Sequence, residues 1–89
     1  MNNAYSIGFR HASASDLKRL DRPIIERILS KLLWLAWFLD TIHHEELTGQ
    51  WTGYYRFRVG DYRIIYQIEH AERLIIVEAI GHRREVYKE

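Results

Sequence analysis

Cysteine is absent from this 89-residue chain, so neither a disulfide nor a thiolate zinc site can staple it, a pattern at home in a reducing compartment. An excess of one charge is also missing. Thirteen Lys plus Arg face 12 Asp plus Glu, and a net charge of +1 alone speaks neither for nor against a nucleic-acid partner. Long apolar runs are lacking too: the longest, over residues 32–39, falls well short of the roughly 20 residues that cross a bilayer. Residues 1–10 have neither the basic start nor the apolar stretch of a signal peptide. The expectation is a soluble, cytoplasmic protein with no membrane association. No repeat, linker or low-complexity segment breaks the chain, which reads as one domain over residues 1–89. A domain of this size hides only roughly 60–65% of the surface its unfolded chain exposes, which excludes a large enzyme with a deep cleft.

What is present favours a folded protein, since 47% hydrophobic and 13% aromatic residues supply enough apolar surface to offset chain entropy. Residues 5–9 alternate apolar and small side chains and read as a first strand. Ser13 or Ser15 is placed to cap a short helix through Leu20, with Asp16 near its positive end. Asp21 then offers a second cap and Pro23 a first-turn proline for a longer helix. Its buried face is expected at Ile24, Ile25, Ile28, Leu32, Leu35 and Leu39, spaced three and four apart. Past Leu32 the helix is apolar on nearly all sides through Leu33, Trp34, Ala36, Trp37 and Phe38. Two readings stand: this end is wedged under the sheet, or part of it is an exposed patch awaiting a partner. His43-His44-Glu45-Glu46 reads as a solvated helix end or loop, because adjacent residues on a helix diverge too far to share a metal ion.

From Tyr54 the period changes to two. Tyr54, Arg56 and Arg58 point one way and Tyr55, Phe57 and Val59 the other, a half-buried strand with cations on its open face. Gly60-Asp61 reverses the chain into a strand over residues 62–69, and the nearly all-apolar residues 74–80 read as a central strand. The fold class expected is therefore α+β: an N-terminal strand, a two-helix hairpin, and a mainly antiparallel four-stranded sheet with one face open. On that face Arg56, Arg58 and Arg63 have the fork geometry that grips phosphate oxygens; the plainer alternative is solvated arginines pairing with Asp61 or Glu69. The sequence holds no glycine-rich phosphate loop, no second carboxylate pair at catalytic spacing and no tight His/Asp cluster, so no cofactor is expected and the chemistry it supports is metal-independent.

The run Leu47-Thr48-Gly49 through Gly53-Tyr54-Tyr55-Arg56-Phe57-Arg58-Val59-Gly60-Asp61-Tyr62-Arg63-Ile64-Ile65-Tyr66, closed by Ile80-Gly81-His82-Arg83-Arg84-Glu85-Val86-Tyr87, resembles the signature of RelE/ParE toxins of type II toxin–antitoxin systems. The resemblance spans nearly the whole chain. It implies a RelE-like endoribonuclease that cuts messenger RNA on the ribosome by driving a ribose 2′-hydroxyl onto the next phosphate. The implied catalytic set is Arg56, Arg58, Arg63, Arg83 and Tyr87, with the four arginines and Arg84 binding RNA. Some relatives carry lysines where this chain has Arg56 and Arg58. Arginine cannot act as a general base, so these cations bind phosphate and neutralise transition-state charge, and the proton must move through Tyr87 or His82. A cognate antitoxin, RelB-like or other, is the implied partner in a hetero-oligomeric complex, with Trp34, Trp37 and Phe38 as its candidate anchors; the ribosome with bound message is the implied target. Two other functions remain open: a ParE-like inhibitor of DNA gyrase that cuts nothing, and a degenerate toxin kept only to bind an antitoxin.

Overall fold

The computed structural model describes residues 4–82. In chain order these form β1 (Ser6–Phe9), α1 (His11–Lys18), α2 (Arg22–Phe38), β2 (Glu45–Glu46), a 3-10 turn (Gly49–Trp51), β3 (Tyr55–Val59), β4 (Tyr62–Glu69) and β5 (Leu74–His82). The sheet order is β1-β5-β4-β3-β2, antiparallel throughout except for β1, which lies parallel to β5. The α+β expectation holds, with a fifth strand added: the two-residue β2, from a segment read as loop.

Both helices cover one face. Ile28, Leu32, Leu35, Ala36 and Leu39 from α2 and its end pack on Val59, Ile64, Tyr66, Ile75, Val77 and Ile80, and all are buried. The alternation of β3 puts Tyr55, Phe57 and Val59 on this core side, which leaves Arg56 and Arg58 on the other. In β5 the phase changes: Ile65 faces Ala79 but Tyr66 faces Val77, so Glu78 is an extra residue and a bulge. The bulge lets Ile75 and Val77 before it, and Ile80 after it, all reach the core.

The first helix departs from its expected start and caps. Arg10 takes the N-cap position with no side-chain cap, and Ser13 lies inside α1, fully buried. Its Oγ donates to the Val77 carbonyl at 2.7 Å, while the Arg10 amide reaches the same carbonyl at 3.1 Å. Where β1 ends, α1 thus takes over the exposed edge of β5, the kind of edge that otherwise recruits other chains. Pro23 sits in the first turn of α2 as its missing N–H allows, though Asp21 makes no side-chain cap bond. The β3–β4 reversal has two residues between Val59 and Tyr62; Gly60 takes φ +58°, which glycine adopts without penalty at the first position of such a turn.

Candidate functional site

The uncovered face of the sheet carries the arginines. In register, Arg58 lies directly across from Arg63, and Arg56 lies across from Ile65. Directly opposed side chains on one face are about 4.5–5.5 Å apart at Cβ, and like charges so placed repel. Among the described residues neither Arg58 nor Arg63 has a carboxylate within ion-pair distance, so the alternative pairing with Asp61 or Glu69 is not formed. Arg63 rests its Nη1 3.4 Å from the Tyr62 carbonyl. Two like charges placed so close, with no ion-pair partner among the described residues, make a locally positive surface.

Arg56 differs from its neighbours. Its Nη2 donates to Oε2 of Glu45, the residue opposite it on β2, and its side chain is 21% exposed. The Arg56 hydrogen bond holds the Glu45 carboxyl below the usual carboxylate range; partial burial opposes this, and the charges of Arg56, Arg58 and Arg63 reinforce it. All three cations therefore act on one carboxylate. Beneath them Ile65 is wholly buried although it lies on the arginine-bearing face, as expected where long arginine stems lie over an apolar floor.

Glu45 was not singled out from sequence. Its partner is 11 residues away across the 3-10 turn, and a two-residue strand shows no periodicity; the one signal available was an acid preceding an arginine-rich strand. His82, read as an alternative proton carrier, pairs with Tyr62 on β4, and its ring meets the Tyr62 ring edge-on at 5.7 Å. It lines a 340 Å³ recess with Asp16, Arg19 and Leu20, on the helix-covered side of the sheet. The structure therefore does not bring His82 to the arginine cluster. Arg83, Arg84 and Tyr87 lie outside the described residues.

A second feature adjoins the cluster. β2 covers only the first part of β3, and beyond it an open cleft of about 590 Å³ is lined by Trp34, Ile42, His43, Glu45, Arg56, Phe57, Arg58 and Tyr66. Trp34 stacks nearly parallel to Phe57, at 7°, and tilts against Phe38. Of the two readings of this helix end, the exposed one is observed: Leu33, Trp34, Trp37 and Phe38 are 43–58% exposed. Among the described residues no group of three or more His, Asp or Glu side chains is placed to hold a metal ion, and no helix is long and apolar enough to cross a membrane.

The family model described as the ParE toxin of the type II toxin–antitoxin system parDE matches residues 7–87. Among solved structures, the RelBE toxin–antitoxin complex from Mycobacterium tuberculosis matches with a TM-score of 0.80 at 21% identity, covering 92% of this chain and 94% of that one. The intact RelBE complex of E. coli matches at 0.72 and 20% identity, over 89% of this chain and 96% of that one. The YoeB/ParE toxin from Agrobacterium tumefaciens gives 0.72 at 18% identity, over 86% and 96%. At these identities the likeness speaks for the fold. No curated protein matches the sequence.

Proposed function

Because the chain belongs to the ParE toxin family of type II toxin–antitoxin systems, we propose that it is the toxin of such a pair and acts in the cytoplasm as a ribosome-dependent, metal-independent endoribonuclease. The observation that carries this reading is the pair Arg58 and Arg63, opposed across the hairpin with no carboxylate partner among the described residues, beside a Glu45 already held by Arg56. Opposed arginines on an open sheet face beside a carboxylate suit the charge of a phosphodiester.

The chemistry is transesterification within the RNA. The ribose 2′-hydroxyl loses its proton, its oxygen bonds to the adjacent phosphorus, and the P–O5′ bond breaks to give a 2′,3′-cyclic phosphate and a 5′-hydroxyl end. Arg58 and Arg63 neutralise the charge that grows on the non-bridging oxygens. Glu45, the carboxylate beside these cations, is the proposed proton acceptor. Its lowered pKa makes it a weak base while Arg56 holds it; an arriving phosphate competes for Arg56, and as that bond loosens the carboxylate becomes more basic. Tyr87 and Arg83 stay in the proposed set, with Tyr87 giving a proton to the leaving 5′-oxygen and Arg83 and Arg84 adding to RNA binding. The ribosome supplies substrate orientation, which suits a site this open.

The exposed Trp34, Trp37 and Phe38 are the proposed anchors of the cognate antitoxin, as large aromatics left uncovered on a small domain are characteristic hot-spot residues. A second reading has one observation in its favour: the family model that matches is that of the ParE toxin, and a gyrase inhibitor would keep the fold without cutting RNA. The deciding experiment expresses the chain with and without its antitoxin, maps message ends in translating extracts and measures gyrase supercoiling in parallel. New ends with intact supercoiling support the nuclease; the reverse supports the inhibitor.

A further inference from the structure

β2 is two residues long, too short to hold itself in register by backbone bonds alone, yet it carries the Glu45 carboxylate. Directly before it, the chain turns His44 inward to the opposite face. The Nε2 of His44 lies 2.7 Å from the carbonyl of Leu39, the residue after α2. A carbonyl only accepts, so Nε2 carries a proton, and in the neutral ring Nδ1 is then an acceptor. Nδ1 lies 2.5 Å from the hydroxyl of Tyr66, which therefore donates. Tyr66 is 1% exposed, and burial, reinforced by Tyr55, pushes its phenol far above its ordinary value, so it keeps the proton it donates. The Tyr66 and Tyr55 rings both meet the imidazole at steep angles, with centroids 5.9 and 5.6 Å away.

We propose that His44 is a positioning residue: by bridging the carbonyl at the end of α2 to the buried Tyr66 of β4, it pins β2 against β3 and so holds the Glu45 carboxylate at the arginine cluster. The imidazole is the one side chain of its segment that bonds both to the helix end and to the middle of the sheet. Side chains at successive strand positions point to opposite faces, so fixing His44 on the core side fixes Glu45 on the arginine side. The consequence for cleavage rests on the nuclease reading above; the consequence for Glu45 does not.

The test reads both. The carboxyl titration of Glu45, followed by NMR on glutamate labelled at the carboxyl carbon, is expected to lie below the ordinary range in the unaltered chain. It should move up toward that range in His44→Ala, where β2 is unpinned and the Arg56–Glu45 bond loosens. His44→Gln, whose amide can donate to Leu39 and accept from Tyr66, should restore the low value. Tyr66→Phe, which keeps the ring and removes the donor, should move it in the same direction as His44→Ala and serves in its place if that variant does not fold. On ribosome-bound message, His44→Ala should slow single-turnover cleavage roughly 10- to 100-fold with little change in binding, and adding Glu45→Gln to it should cost little more. A folded His44→Ala or Tyr66→Phe whose Glu45 titrates as in the unaltered chain overturns the proposal. A chain that cuts no RNA, yet shows the Glu45 shift, keeps the positioning role and removes the nuclease reading instead.

Discussion

At the scale of single residues, charge and its partner decide what each group does. Arg56 and Glu45 neutralise each other, whereas Arg58 and Arg63 face one another with no carboxylate partner among the described residues. Because Glu45 titrates lower in the folded chain than in the unfolded one, its contribution to stability is complete above the ordinary carboxylate range. It is lost as pH falls through the lowered folded value. Glu45→Gln is thus expected to flatten the acid limb of a urea-stability profile, with a small effect because the carboxylate is nearly half exposed. The same variant should slow cleavage, while a profile and rate like those of the unaltered chain would remove Glu45 from the site. Tyr66 gives the opposite limb. Its raised value means the unfolded chain releases this proton first, so stability falls as pH climbs past about 10. Tyr66→Phe should make that fall shallower. The arginines were legible in sequence because strand alternation assigns a face to every residue. Glu45 and His44 were not, since each acts through a partner 11 or 22 positions away.

The elements show where local pattern ends and tertiary context begins. The face of α2 was readable from its three- and four-residue spacing, and Ile28, Leu32, Leu35 and Leu39 are buried as that spacing demands. The start of α1 was not, because serines that favour caps also serve inside a helix when a carbonyl waits across the interface. Ser13 does so: Ser13→Ala is expected to cost about 1 kcal/mol in chemical denaturation, the worth of a buried hydrogen bond, and an unchanged midpoint would mean that the Arg10 amide alone satisfies Val77. The bulge at Glu78 was hidden by an apolar run in which every phase looks alike. Gly60 was legible as a turn residue, and its φ of +58° adds the reason. Gly60→Ala should lose roughly 1–2 kcal/mol for left-handed backbone, while the new methyl carbon, 3.3 Å from Nη1 of the exposed Arg27, needs only a small shift of that side chain. A variant as stable as the unaltered chain would mean that this turn relaxes freely.

For the whole molecule, the two faces of the sheet differ: helices and core cover one, and the other carries the arginines. Trp34 and the aromatics beside it sit at the edge where the two meet, next to the cleft that Arg56 and Arg58 also line. An antitoxin anchored there would lie alongside the cluster. Trp37→Ala or Phe38→Ala should each weaken antitoxin binding by about 2 kcal/mol or more by calorimetry while leaving the fold intact. Both side chains are about half exposed, so a loss of stability with unchanged affinity would instead assign them to packing. The central claim is that the opposed arginines act on a phosphodiester, and single-turnover cleavage of ribosome-bound message by the purified chain and by Arg63→Ala tests it most directly. New ends bearing a 2′,3′-cyclic phosphate and a 5′-hydroxyl are expected, with a rate roughly 10²–10³ lower in Arg63→Ala and ribosome affinity little changed. Growth arrest by the unaltered chain with no new message ends, while supercoiling by gyrase collapses, would contradict it.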